Sequence, residues 1–442
     1  MKPLHWIISL LWLAAIIGVE SISRSSFFSL WGLFSIAFAG YAWLVFNKQS
    51  IPLFYGILIA VICRLAGFFF DPMLSDDYYR YIWDGMLMHQ GINPMAYIPS
   101  YLMLHPELAI VNAHLFDLLN SPDYYSVYPP VMQWMNYISF GINHLNTGGH
   151  ILFYKILLFI VDLSIFYLLG KLLTKNNLNA NRLLIYALNP LVIIEYTGNL
   201  HFEGLMIAGL FGAILLSDHR HLVWSSLLMA LSIATKMLTL ILIPFISKDL
   251  YWKKFLRWCI LAIVLILIFF WITFGSELNW LNSCLLWFQN FEFNASIYYI
   301  VRQIGYWIMG YNAIKWVGPL LGVVTLILVG VIWLKYRSKK YFPWSSAMLY
   351  VLTSYFLLST TVHPWYIGTL LALSVLSLHT YPIVWTYLVF LSYSHYSGGG
   401  FQENYTFIAA EYILLFAWMI FEIKRSDKRM QDARYQMPDT RL

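Results

Sequence analysis

Apolar runs of about bilayer-spanning length, roughly 20 residues, recur along almost the whole chain. They lie at 6–20, 27–46, 51–70, 128–146, 150–170, 183–200, 204–217, 222–247, 258–274, 313–334, 344–361, 365–381, 383–395 and 405–423. In hydrocarbon every backbone N–H and C=O must be bonded within the protein, so such runs are predicted to be helices. The composition agrees, with 60% of the 442 residues hydrophobic and 11% charged. A soluble domain carries about 25% charged residues, so an ordinary soluble enzyme and a disordered chain are both excluded. The 32 Tyr and 19 Trp suit a chain that meets the membrane–water interface many times. The expected fold is an all-α polytopic membrane protein with about 11–13 membrane segments. Cys63, Cys259 and Cys284 follow no disulfide or zinc spacing. No small-residue cleavage site follows the first apolar run, which is read as a retained span.

The charge map sets the expected orientation. Basic residues gather at Lys171–Arg182, Lys248–Arg257, Lys335–Lys340 and Lys424–Arg441, which with Lys2 and Lys48 make 19 of the 27. The stretch from Asp71 to Val127 holds seven carboxylates and one cation, Arg80. Basic loops stay cytoplasmic, so the acidic stretch is expected on the other side. The organisation read from this is 1–70 as N-terminal spans, 71–127 as a functional extracytoplasmic loop and 128–423 as a membrane bundle. The bundle carries an extracytoplasmic segment at 275–312, and 424–442 is a basic cytoplasmic tail. Keeping Lys171–Arg182 inside requires 128–146, opened by Tyr128-Pro129-Pro130, to be a short or re-entrant helix. On this topology the polar groups at 76–84, 128–130, 201–203, 292–294 and 363–366 share the outer side, which points to one site there. The basic clusters are short loop ends, so nucleic acid is not an expected partner.

The densest chemistry is Ser75-Asp76-Asp77-Tyr78-Tyr79-Arg80-Tyr81-Ile82-Trp83-Asp84-Gly85, with Gly91-Ile92-Asn93-Pro94 after it. Asp77, Arg80, Tyr81 and Asp84 follow helical spacing and share a face, while Asp76 sits where it would cap the helix. A bland alternative is an amphipathic juxtamembrane helix whose Asp77, Arg80 and Asp84 form an internal ion-pair network.

The order acidic pair, Tyr-Arg-Tyr, Trp-Asp-Gly, Gly-x-Asn-Pro and then Tyr128-Pro129-Pro130 resembles the first extracytoplasmic loop of the GT-C glycosyltransferases. It is most similar to the mannosyltransferase branch that uses polyprenyl-phosphate sugars, both the bacterial polyprenol-phosphomannose enzymes and the GPI mannosyltransferase. Asn189-Pro190, Gly198-Asn199-x-His201-x-Glu203, Ala234-Thr235-Lys236 and His363-Pro364-Trp365-Tyr366 continue the likeness. Met95 departs from it, since an aromatic residue is common there. The resemblance implies a GT-C-like bundle and an inverting transfer of a hexose, mannose foremost, from a polyprenyl phosphate. The acceptor would be an extracytoplasmic glycan, lipid or protein of the cell envelope. An extracytoplasmic site faces the periplasm or outside in a bacterium and the lumen in a eukaryote, and the compact loops and the lack of a retention signal favour a bacterial inner membrane.

That chemistry needs a base for the acceptor hydroxyl and positive charge for the departing phosphate. Asp76 or Asp77 is the expected base. The 71–127 loop is itself negative, so Lys236, Arg302 and Arg80 are the candidate phosphate ligands. Tyr81, Asp84, Tyr128, His201, Glu203, Asn294, His363, Trp365 and Tyr366 are candidate substrate contacts. Each has a plainer reading: Lys236 snorkelling, Arg302 a surface charge, His201 and Glu203 a structural pair, Pro364 to Tyr366 an interfacial helix start. No cofactor is expected; a divalent ion on Asp76, Asp77, Asp84 and His89 is the alternative. A polyprenyl-linked glycan polymerase or ligase, or a lipid or sugar transporter, is the competing function. Transporters place isolated charges at the bilayer midplane and often repeat internally, and no repeat is visible here.

Overall fold

The computed structural model describes residues 3–47, 50–217, 221–246, 252–277, 279–339, 342–398 and 400–435. Lys2, Lys48, Lys248, Lys340 and Arg441 of the basic clusters lie outside the described residues. The protein is a polytopic all-α membrane protein; among the described residues its only β contact is one parallel bridge between Phe293 and Thr361.

Among the described residues six helices are long and apolar enough to cross a bilayer: Pro3–Glu20 (α1), Phe27–Phe46 (α2), Thr147–Lys175, Lys253–Phe274, Ile314–Ser338 and Tyr405–Arg425. A seventh is bent by 108° between Pro190–Gly198 and Glu203–Leu215. Several other apolar runs fold as shorter pieces. Leu53–Ala66 (α3), Leu222–Thr235 and Trp344–Leu358 are helices of 14 or 15 residues. The runs at 237–245 and 389–396 wind as 3₁₀ helix, with Pro244 inside the first. Short and irregular pieces are tolerated at membrane depth where protein rather than lipid surrounds them. Pro130–Asn143 has 14 residues, about 21 Å, and does not reach across a hydrocarbon core of roughly 30 Å.

The bundle has two unlike ends. At one, Arg182 donates to the carbonyls of Ser374, Val375 and Ser377, and His379 pairs with Glu422. At the other gather the turn 21–26, the segment 71–128, the 199–202 break and the loops around 291–296, 359–366 and 396–404. Lys155 caps the exit of α3 there, donating to the carbonyls of Gly67 at 2.5 Å and Phe70 at 2.7 Å.

The acidic motif folds as the helix Asp77–His89 (α4). It closes on Gly91, whose φ of +74° is open to glycine, and Ile92 N–H bonds back to the Leu87 carbonyl. The glycine of Trp-Asp-Gly has a packing reason. A Cβ on Gly85 would come within 2.5 Å of the Asn136 carbonyl oxygen, so α4 seats on Pro130–Asn143 only with no side chain there.

Candidate active site

Asp76 and Asp77 diverge at the start of α4. Asp76 occupies the N-cap position but makes no capping bond. Its carboxylate pairs instead with Arg24, in the turn between α1 and α2. Arg24 also reaches the Leu74 carbonyl and lies 4.7 Å over the Tyr396 ring. Asp77, half-buried, accepts a 2.8 Å bond from the Asn120 amide. Burial pushes its carboxyl above the usual value; the Asn120 bond and the Lys236 charge pull down, while Asp76 and Glu203 push up. Asp77 thus lies within electrostatic reach of Lys236 and Glu203, although more than a hundred residues separate them in sequence.

The broken span brings those partners in. Asn189 caps Pro190–Val192 and ties it to Thr386. After Gly198 the chain turns sharply, with Leu200 at φ +64°, before Glu203–Leu215 starts. Asn199 fixes the turn to the acidic loop, accepting from Leu74 N–H at 2.8 Å and donating to the Ile194 carbonyl. Glu203, 1% exposed, forms an ion pair with Lys236. Lys236 sits in extended backbone between Leu222–Thr235 and the 3₁₀ run, with its ammonium 4.4 Å from the Tyr366 ring centre. A cation held there is paired, as the cost of a lone charge in such surroundings demands. His201 and Glu203 do not act as one pair. His201 stacks on Trp365 at 3.7 Å and bonds through Nδ1 to the Glu195 carbonyl, 3.0 Å away.

His363, Trp365 and Tyr366 complete the wall. The His363 ring stacks on Trp365 at 4.3 Å, and Phe293 packs on His363 at 4.4 Å. His201, Trp365, His363 and Phe293 therefore form a continuous aromatic column beside Lys236. Tyr81 joins from α4, meeting Tyr128, Tyr154 and Phe202 edge-on, with its hydroxyl 3.4 Å from the Leu200 carbonyl.

Four expected site residues are placed elsewhere. Arg80 donates to Asp84 at 2.9 Å and to the carbonyls of Ser121 and Tyr124, so it braces the loop against α4. Asp84 is fully buried between Arg80, Ser126 and Gln133. These two, not Asp77, make the internal ion pair foreseen for this helix. Asn294 donates to Glu411 at 3.0 Å, and its carbonyl accepts from Tyr412. Arg302 pairs with Glu292 and lies over Tyr299 and Tyr405, a separate group linked to the column through the 291–294 strap.

The four residues considered for a cation do not converge. Asp76, Asp77 and Asp84 have the separate partners just given, and His89 stacks on Tyr137 at 4.1 Å and bonds to its carbonyl. Among the described residues no three metal-ligating side chains form a group fit to hold an ion.

Arg24 and Asn120 were not foreseen. Arg24 did carry a signal, being a lone cation in a turn on the side of the chain otherwise poor in basic residues. Asn120 carried none, since an asparagine in a polar loop is unremarkable until its neighbour is known.

The family model for alpha-(1→6)-mannopyranosyltransferases, N-terminal domain, matches residues 14–251, more than half of the chain. The chain belongs to this family. It is a mannosyltransferase of the GT-C kind, and the match takes in Arg24, the whole of α4, the 199–203 break and Lys236. His363, Trp365, Tyr366 and Arg302 lie beyond it. Comparison with curated proteins and with solved structures returns no significant match.

Proposed function

We propose that the protein transfers mannose from a polyprenyl-phosphate donor to an acceptor hydroxyl with inversion, with Asp77 as the general base. The acceptor oxygen attacks the anomeric carbon and forms the new glycosidic bond. The bond from that carbon to the phosphate oxygen breaks, the polyprenyl phosphate leaves with the electron pair, and Asp77 takes the hydroxyl proton. A β-linked donor gives an α-linked product, in keeping with the family's name.

The observation that carries this reading is the setting of Asp77: a carboxylate of raised proton affinity at the start of α4, electrostatically coupled to Lys236. Burial makes it a better base, and Lys236 supplies positive charge for the leaving phosphate. Asp76 is already neutralised by Arg24 and is the weaker candidate. Lys171, Lys175 and Arg182 belong to the opposite end of the bundle, which favours an active end facing the periplasm of a bacterial inner membrane. The reaction is written without a metal; full activity in the presence of a chelator is expected.

The test is a transfer assay with purified protein in liposomes, polyprenyl-phosphate mannose as donor and an α-mannoside as acceptor. Asp77→Asn should lower kcat by about 10²–10⁴, the range for loss of a general base, with donor KM little changed. Full-rate transfer by Asp77→Asn would remove it from the mechanism. Consumption of a different lipid-phosphate sugar, with mannose ignored, would overturn the donor assignment.

A further inference from the structure

The helix Ile297–Met309 has three faces with three different neighbours. Ile300, Ile304, Trp307 and Ile308, at i, i+4, i+7 and i+8, are 65%, 44%, 76% and 75% exposed. Such an apolar stripe on a short amphipathic helix fits the surface of a bilayer. Tyr298 and Gly305 form the buried face. The third face carries Tyr299, Arg302, Gln303 and Tyr306, which with Tyr405 line a cavity of about 340 Å³. This is the small end of the range for small-molecule sites, about 300–1,000 Å³, and has room for a sugar ring or a short oligosaccharide.

The charges in this pocket do not favour an anion. The Arg302 guanidinium is paired with Glu292 and bonded to the Tyr405 hydroxyl. Glu403, bonded by the Tyr299 hydroxyl and by Asn294 N–H, adds a second acid. Burial pushes the Glu403 carboxyl up to about 7, so near neutral pH the pocket is balanced or slightly negative. Phosphate, the ligand first expected for Arg302, would meet no net positive charge. A ligand rich in neutral hydroxyls would find tyrosine faces for its C–H groups and, for its hydroxyls, the Gln303 amide, the tyrosine hydroxyls and the Arg302 guanidinium, with the carboxylates of Glu292 and Glu403 held by Arg302 and Tyr299 of that lining. Arg302 Nε is buried without a hydrogen-bond partner among the described residues, so the guanidinium keeps an unused donor. The pocket also connects to the reaction centre. Glu403 holds Asn294, and the neighbouring Phe293 packs on His363 and is bridged to Thr361.

We propose that this pocket is an acceptor subsite that binds a neutral hexose unit of the acceptor at a distance from the hydroxyl being glycosylated. Its role in catalysis rests on the transferase reading above; its sugar binding does not. The hexose could be carried by a free glycan or by a membrane glycolipid, and the apolar stripe beside the pocket places either at the bilayer surface.

The experiment is calorimetric titration of the full-length protein in nanodiscs with α-(1→6)-linked mannotriose and, separately, with a dialkylglycerol mannoside. At least one probe should bind, and the tighter one names the carrier. Tyr306→Ala should weaken it by about fivefold to tenfold, the worth of one aromatic face. Ile304→Ala, on the lipid face of the same helix, should bind as the wild type does. In the transfer assay Tyr306→Ala should raise the acceptor KM and leave the donor KM in place. Saturable binding of neither probe, or equal binding by Tyr306→Ala and Tyr405→Ala, overturns the proposal. So does a rise in donor KM alone, which would make the pocket a donor site. If polyprenyl-phosphate mannose is not a substrate at all, the donor reading falls while the titration still decides the pocket.

Discussion

Two kinds of charge network stand close together in this protein, and they differ in who can reach them. In the closed kind, each carboxylate oxygen has an internal partner. Asp162 accepts from Arg64 at 2.6 Å and from the Tyr186 hydroxyl at 3.1 Å, with both ionic side chains at most 1% exposed. Asp84 is enclosed in the same way by Arg80, Ser126 and Gln133. In the open kind, the pairs Arg24–Asp76 and Lys236–Glu203 each keep an exposed partner: Arg24 is 29% exposed, Asp76 37% and Lys236 30%. A closed network ties helices into one arrangement, and its carboxylates have no free oxygen to offer a ligand. An open pair can exchange its partner for a substrate group, so the chemistry is sought there and the fold's stability elsewhere.

The largest effect should come from breaking a closed network. Asp162→Ala leaves the Arg64 guanidinium buried without its counter-charge, and removing one member of a buried pair typically costs about 3–5 kcal/mol. Thermal unfolding of the detergent-solubilised protein, followed by loss of the monodisperse chromatographic peak, reads this directly. Lys236→Met, in the open network, removes a partner that is 30% exposed, so it should destabilise less than Asp162→Ala while lowering transfer. If Lys236→Met destabilises the protein as much as Asp162→Ala does, the division between the two networks is wrong.

How far the sequence foretold this division depended on whether the partner was nearby in the chain. Arg80 and Asp84 are four residues apart on one helix, so their pairing was legible, as were α4 itself and its closure at Gly91. The groups at 128–130, 201–203, 292–294 and 363–366 are recognisable in the sequence as polar or aromatic residues on one side, and of them Tyr128, Glu203 and Tyr366 lie within electrostatic reach of Asp77, while Asn294 is held by Glu411. What could not be read was the choice of partner across long separations. Arg24 with Asp76, Asn294 with Glu411 and Arg302 with Glu292 depend on how loops fold back, which no helical period encodes. The shape of each membrane segment was hidden for a related reason. Hydropathy records that a run is apolar, but not that protein surrounds it, and a run inside protein can bend at Pro244 or at the 199–202 break without leaving backbone groups in lipid.

A second effect, of middle size, concerns pH. A general base must be ionised, so the rate should fall as pH drops through the pKa of Asp77. Because burial raises that pKa, the acid limb should lie above the ordinary 3.8. The Asn120 bond opposes the rise, so Asn120→Ala should move the limb further up. Stability has the opposite sense. The folded state binds the Asp77 proton more tightly than the unfolded state does, so stability falls as pH rises from 3.8 through the raised value. Asp77→Asn removes that penalty and should melt no lower than wild type at neutral pH, even as its transfer rate collapses. An acid limb that stays in place in Asn120→Ala would mean that a group other than Asp77 is being titrated.

The smallest effect should be at the adjacent residue, and it is the sharpest test of the comparison. Asp76 and Asp77 are the same side chain on neighbouring positions, yet one is matched to Arg24 and the other is bonded to Asn120 within electrostatic reach of Lys236 and Glu203. The Arg24–Asp76 pair is partly exposed on both sides, so its coupling should be worth about 0–1 kcal/mol in a double-mutant cycle of Arg24→Gln and Asp76→Asn. The rate of Asp76→Asn should fall by less than about tenfold, since that substitution removes neither the base nor Lys236. A freed Arg24 adds positive charge at the start of α4, so on the proposed mechanism the KM for an anionic donor should fall slightly if it moves at all. Should Asp76→Asn instead lose as much kcat as Asp77→Asn, the pairing with Arg24 would describe a resting state that the substrate undoes, and the base would have to be reassigned to Asp76.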